Sequence, residues 1–269
     1  MTEPTTTSPA DGANRPRTGV AGWLGRPVHL EFRAPFELRA LRRSPLWQGE
    51  GVPPGRGRGA LIVPGFFAAP RGAQALQHVL TRAGWRAEIA AVGRNSGPAY
   101  TGIDATTADA LRLREATGQP VRIVGHSRGG QYARIIAVRH PELVRQIVVV
   151  GTPLLVKYPD FAAVKVPAEV LDRAWRAGAF GEVFPDREQA VDQDRYAPFP
   201  SGIDFVSIYS RSDGIVDWRL SIEPAAHTVE ISASHRGLLN SVAGVGAVAG
   251  ALARLDEPEF TDRQATPRP

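Results

Sequence analysis

Short apolar runs of β-type alternate with helix-like patterns along most of this chain, and that alternation constrains the fold more than any other feature. The runs are ALIVPG (60–65), WRAEIAAVG (85–93), VRIVGH (121–126), QIVVVGTP (146–153), DFVSIYS (204–210) and HTVEIS (227–232). Helical patterns lie around 72–83, 106–117, 128–139 and 236–255. Strands that recur with a helix between them pair in parallel, and both faces of such a sheet must be covered. The expectation is an α/β architecture: a mostly parallel central sheet with helices on both faces. A chain of 269 residues that is 43% hydrophobic buries a core of that size within a single domain, expected over 21–269.

Two segments fall outside the alternation. Residues 1–20, MTEPTTTSPADGANRPRTGV, are rich in Thr, Pro and Ala and lack an apolar signal core, so they read as a disordered tail. Residues 154–203 separate two expected strands and carry Trp175, Phe180, Phe184, Tyr196 and Phe199, which suits a cap or lid. The acidic residues Asp186, Glu188, Asp192 and Asp194 are expected on the solvated outer face of that cap. The Gly/Ala-rich run 237–253 is too short for a membrane span and is expected to be a buried terminal helix.

Composition removes several function classes. The net charge is +5, but its arginines are scattered with no basic stripe, so no nucleic-acid partner is expected. There is no cysteine, which excludes thiolate chemistry and disulfides. The six histidines show neither i, i+4 pairs nor HExxH spacing, so no metal is expected, and nothing calls for a cofactor. With neither a signal sequence nor a transmembrane segment in view, the expected location is cytoplasmic.

The chemistry concentrates at VRIVGHSRGGQYAR. Gly125, Ser127 and Gly129 form G-x-S-x-G between an expected strand and an expected helix, the context in which a sharp turn projects a serine hydroxyl into a cleft. The glycines let strand and helix approach, and the new helix offers its N-terminal donors to an anion beside Ser127. A serine needs a base, and the base an orienting acid. Asp213 in SRSDGIV and His235 in SASHRG each follow an expected strand, on the same sheet edge as Ser127. Asp217 lies beyond GIV and is expected as a solvated surface carboxylate. His227 starts the last strand, on the opposite edge, and His126 adjoins the serine too closely to turn back on it. His29, His78 and His140 are expected to be structural. Oxyanion donors are expected from the backbone N–H of Arg128 and of Phe66 in the LIVPGFFAAP loop, with Phe67 as the alternative.

These residues resemble the α/β-hydrolase superfamily, and within it bacterial esterases and lipases. The resemblance is carried in order by PGF (64–66), GRNSGP (93–98), GHSRGGQYAR (125–134), GTP (151–153), SDGIV (212–216) and SHRGLLN (234–240), over about residues 60–255. It implies the α/β-hydrolase fold with a cap insertion, with Ser127 as nucleophile, Asp213 as acid and His235 as base, acting without a cofactor on a small-molecule or lipid-like ester. Thioesterases, perhydrolases and carbon–carbon hydrolases share the pattern, as does a non-catalytic binding protein on the same fold. Ser127 argues against relatives that place an aspartate there. Two departures stand out: Pro64-Gly65 where many lipases have His-Gly, and Arg128 where an apolar residue is common, whose guanidinium is expected to narrow the pocket or bind a carboxylate.

Overall fold

The computed structural model describes residues 27–68, 72–154, 156, 173 and 184–256. The tail 1–20 and most of the cap, Trp175 and Phe180 included, lie outside the described residues. A 3₁₀ turn (Val28–Arg33) leads into α1 (Ala34–Arg43) and a second 3₁₀ turn (Pro45–Gln48). There follow β1 (Gly59–Val63), α2 (Gln74–Arg82), β2 (Arg86–Ile89), α3 (Ala99–Thr117), β3 (Val121–His126), α4 (Arg128–Arg139) and β4 (Val144–Val150). Within the segment 154–203 lies α5 (Pro185–Tyr196), and after it come β5 (Asp204–Tyr209), a 3₁₀ turn (Trp218–Ser221), β6 (His227–Glu230), α6 (Gly237–Asn240) and α7 (Val242–Ala253).

The strands form one six-stranded sheet in the order β2-β1-β3-β4-β5-β6, with every pairing parallel. The chain first steps outward from β1 to β2, then crosses back over β1 to β3 and continues in one direction. The ends of β1 and β3 therefore flank the point where the winding reverses, the place where open α/β sheets form their crevice.

Side-chain alternation divides the core into two layers. Ala60 and Ile62 of β1, Val148 and Val150 of β4, and Val206 and Ile208 of β5 face a cluster with Leu41 of α1, Leu76 and Leu80 of α2, and Val245 and Val248 of α7. Leu61, Val63, Ile147, Val149 and Phe205 face the opposite cluster, with Ile103 of α3 and Ile135 and Ile136 of α4. A strand buried on both faces must be apolar at every position, which is why β1 reads as an uninterrupted run. Each fully buried Leu or Ile contributes about 1.5–3 kcal/mol, so the layers hold the strand ends in fixed register.

The terminal helical pattern is two helices. Ser241 interrupts it with an extended backbone and caps α7, its Oγ accepting from the Gly244 N–H at 2.9 Å. Among the described residues no helix is long and apolar enough to cross a membrane.

Candidate active site

Ser127 follows β3 and precedes α4, with φ 53° and ψ −122°. A residue with a β-carbon is strained there, and such strain persists only where the surroundings enforce it. A β-carbon at Gly125 would overlap the backbone of Gly129 and Gly130, and one at Gly129 would overlap the Val63 carbonyl of β1. The glycines thus let α4 lie against both β3 and β1, which forces the turn and brings the helix N-terminus to the serine. Gly65 plays the matching part after β1, where a β-carbon would stand 2.9 Å from Ser127 Cβ. The backbone leading to Phe66 therefore runs directly along the serine. Phe67 has φ 49° and a half-exposed ring packed edge-on to Phe66 at 4.4 Å.

Asp213 and His235 come together at the ends of β5 and β6. His235 Nδ1 lies 2.7 Å from Asp213 Oδ2, and both residues are buried. Asp213 Oδ1 accepts the N–H groups of Ile215 and Val216, each at 2.8 Å, so the carboxylate is fixed from both sides. With Nδ1 donating to Asp213, the basic nitrogen of the neutral ring is Nε2. Burial works to lower the His235 pKa but is outweighed by the charge and hydrogen bond of Asp213. Glu31 adds to that rise, Arg236 opposes it, and the net direction is upward. Among the described residues Ser127 Oγ is not hydrogen-bonded to His235, and such bonds commonly tighten only with substrate present.

The rival residues sit elsewhere. Asp217 is not the solvated carboxylate expected from sequence. It is 8% exposed, and its Oδ1 caps the Trp218–Ser221 turn by accepting from the Arg219 N–H at 3.0 Å. The polar Asx cap buried it, a role that spacing alone did not reveal. His227 opens β6 at the far end of the sheet. His78 stacks on Trp47 at 4.0 Å with Nε2 at its carbonyl. Arg128 is a buried residue whose guanidinium donates to the carbonyls of Asn95 and Gly97, both at 2.9 Å, and lies 5.7 Å from the centroid of the Phe66 ring, so it braces the loop after β2. Among the described residues no cluster suited to a metal occurs.

A family model for the alpha/beta hydrolase fold matches residues 73–205. The structure resembles a candidate lipase from Acinetobacter baumannii AYE, with TM-score 0.51 and 12% identity over 86% of this chain and 97% of that one. It also resembles Rv0554 from Mycobacterium tuberculosis, with TM-score 0.51 and 19% identity over 74% and 90% of the two chains. A third likeness is to mouse alpha/beta hydrolase domain-containing protein 10, with TM-score 0.50 and 15% identity over 78% and 92%. This chain is an α/β-hydrolase-fold protein. At these identities the solved structures speak for the fold alone, and no curated protein matches the sequence.

In this α/β-hydrolase-fold protein, three supporting residues escaped the sequence reading. His126 Nε2 donates to the His235 carbonyl at 2.9 Å, and the two rings lie 4.5 Å apart. Burial, then the neighbouring His235, lowers the His126 pKa from 6.5 to about 3, so it is a neutral prop under the other ring. Asn95, at φ 51°, donates from Nδ2 to the Pro64 carbonyl at 2.8 Å. Together with Arg128 it connects the first turn of α4 to the loop carrying Phe66. The third is Glu31, from the turn preceding α1. The Asn95 signal was present in GRNSGP, but its positive φ and its reach to Pro64 have no local sequence signature.

Proposed function

We propose that the protein is a serine hydrolase of carboxylic esters that works through an acyl-enzyme. One observation carries the reading: a serine in a strained strand-to-helix turn at the switch point of the sheet, with a buried histidine held by a carboxylate at 2.7 Å on the same edge. In this mechanism His235 Nε2 takes the Ser127 proton as Oγ attacks the ester carbonyl. Asp213 holds the tautomer and stabilises the imidazolium. The carbonyl oxygen becomes an anion facing the N-terminus of α4, where the N–H of Arg128 and that of Phe66 are its donors. His235 then protonates the leaving alcohol, and the same sequence with water releases the acid.

Residues 154–203 act as the cap over the acyl side of the cleft in this reading, because the connection from β4 to β5 leaves the sheet at its carboxyl edge, and Phe184 near its return touches Tyr100 at the start of α3 on that edge. The substrate is a small or lipid-like ester.

Labelling by a fluorophosphonate probe tests the nucleophile. The expected result is stoichiometric modification of Ser127, with Ser127→Ala unlabelled and its kcat on an activated ester lower by about 10⁶-fold. Asp213→Asn costs roughly 10⁴-fold through the wrong histidine tautomer, whereas Asp217→Asn loosens a turn and leaves the rate near wild type. An unlabelled Ser127 in folded protein means a binding protein on a hydrolase scaffold. Labelling with turnover of thioesters but not oxygen esters moves the substrate class.

A further inference from the structure

The segment before the first strand reaches into the site. VHLEFRAPFELRALRR (28–43) turns through the 3₁₀ turn into α1 with Phe32 and Phe36 facing out and its two glutamates facing in. Glu31 Oε1 accepts two backbone N–H groups, that of Gly214 at 2.9 Å and that of His235 at 2.7 Å. Gly214 follows Asp213, so one oxygen grips the loops that carry both partners of the 2.7 Å pair. Six residues on, Glu37 Oε1 accepts from the Ser234 N–H at 3.0 Å, and its other oxygen takes the Ser234 hydroxyl. Ser234 Oγ in turn accepts from the Gly237 N–H at 2.9 Å, and Arg33 holds Glu37 at 3.0 Å.

The glycines of the two loops point the same way. A β-carbon on Gly214 would lie 2.8 Å from Val28 Cα and 3.0 Å from Glu31 Cγ, while one on Gly237 would overlap the Glu37 carboxylate. At Gly214 and Gly237 the strap thus occupies space that any β-carbon would fill. Without the strap, the loops are tied to each other by the Asp213–His235 bond and by Ser210 Oγ, which donates to the Ala233 carbonyl at 2.8 Å and accepts its N–H at 3.2 Å.

We propose that Glu31 is a positioning residue: its carboxylate clamps the acid loop to the base loop and so sets the His235–Asp213 geometry, with Glu37 as a second clamp on the base loop. This rests on the hydrolase reading for its consequence in rate, but the clamp itself is a statement about two loops. Charge-assisted bonds to backbone N–H groups are strong and directional, and a displacement of about 1 Å in a reacting constellation costs on the order of 10²-fold in rate. The charged and titratable groups facing His235 are Asp213, Glu31, Arg236 and the neutral His126, with Glu37 engaged by Arg33. Removing the Glu31 charge therefore makes the His235 imidazolium easier to deprotonate.

The test compares wild type, Glu31→Ala and Glu31→Gln in the full chain, with active sites counted by fluorophosphonate labelling. Per labelled site, Glu31→Ala is expected to lower kcat by roughly 10- to 100-fold, with KM changed less than about threefold. Glu31→Gln keeps an acceptor oxygen and regains most of kcat, but its kcat/KM falls off at lower pH than wild type. The downfield proton resonance of His235 Nδ1–H is expected to broaden or vanish in Glu31→Ala and to persist in Glu31→Gln. Wild-type kcat and an unmoved pH limb in Glu31→Ala overturn the clamp while leaving the hydrolase reading intact. Absence of labelling in wild type instead removes the hydrolase reading. The clamp is then decided on the resonance, and an unchanged signal in Glu31→Ala overturns it.

Discussion

His126 and His235 lie with rings 4.5 Å apart yet shift in opposite directions, because one has a carboxylate and the other has a carbonyl. Asp213 raises His235 against the pull of burial, while His126 meets no compensating anion at hydrogen-bond distance and falls to about 3. The signs set two pH effects. The depressed His126 stays neutral in the native state, whereas the unfolded chain protonates it below about 6.5. Its contribution to stability is therefore complete above that pH and is lost as pH falls toward about 3, at up to about 1.4 kcal/mol per pH unit. The raised His235 works the other way, gaining stability as it binds its proton on the acid side of its folded pKa. Urea unfolding across roughly pH 4 to 7 is expected to show a shallower loss of stability in His126→Gln, which keeps a donor for the His235 carbonyl but does not titrate. An equal slope in both proteins refutes the assignment to His126. At this scale Ser127, Asp213 and His235 were legible because each follows a β-type run in a fixed chain order. His126, Asn95 and Glu31 were not, since each acts through a hydrogen bond to main chain at least 31 residues away, and backbone partners leave no trace in sequence.

At the level of elements, all six β-type runs are strands and the helix 128–139 has the expected bounds, because both-face burial and glycine punctuation are written locally. α3 begins at Ala99, a full turn and more before the pattern at 106, since Gly97, Pro98 and Gly102 look like breakers. Gly102 instead admits the Tyr132 ring, and the first N–H of the helix is satisfied by Glu188 Oε1 at 2.8 Å, from 89 residues away. That contact also corrects the expected role of the α5 acids. Glu188 faces α3, Asp194 pairs with Arg139 of α4 at 2.6 Å, and Asp192 pairs with the buried Arg195 at 3.6 Å, so three of the four turn inward. α1 and its preceding turn were not foreseen, because their inward face mixes the acids Glu31 and Glu37 with only a short apolar stripe of Leu38 and Leu41. Arg134 of α4 does most to fasten α5: it donates to the carbonyls of Asp194 and Ala197 and forms a two-pronged pair with Glu223, both side chains being almost fully buried. Removing one partner of such a pair leaves a charge stranded in the interior. Glu223→Ala is expected to cost about 3–5 kcal/mol in chemical denaturation, while Glu88→Ala, which breaks the exposed pair with Arg86, costs about 0–1 kcal/mol. Equal costs in the two variants contradict this account of the staple.

On the scale of the whole molecule, every group assigned to the chemistry sits on the carboxyl edge of the sheet, and the long excursion between β4 and β5 leaves from that same edge. Its ends are firmly attached. Leu154 is fully buried with its N–H on the Leu220 carbonyl at 2.9 Å, and Gln131 of α4 holds the carbonyls of Pro153 and Val156. At the return, Phe184 caps α5, touches Tyr100 with ring centroids 6.4 Å apart, and remains 46% exposed. A large aromatic left half uncovered beside the loop that Arg128 braces is suited to meet an apolar substrate chain, which is the role proposed here for the cap. Trp175 and Phe180 fall outside the described residues, so Phe184 is the residue on which the idea is decided. If Phe184 forms part of the acyl wall, alanine at this position changes the ratio of kcat/KM for long over short acyl esters by about 10-fold, the effect of 1–3 kcal/mol of lost apolar contact. Fluorophosphonate labelling of Ser127 stays at wild-type stoichiometry, because the serine turn is held by β1, β3 and α4 and not by the cap. A uniform loss across chain lengths, or none, assigns Phe184 to the scaffold and leaves acyl selection to other residues.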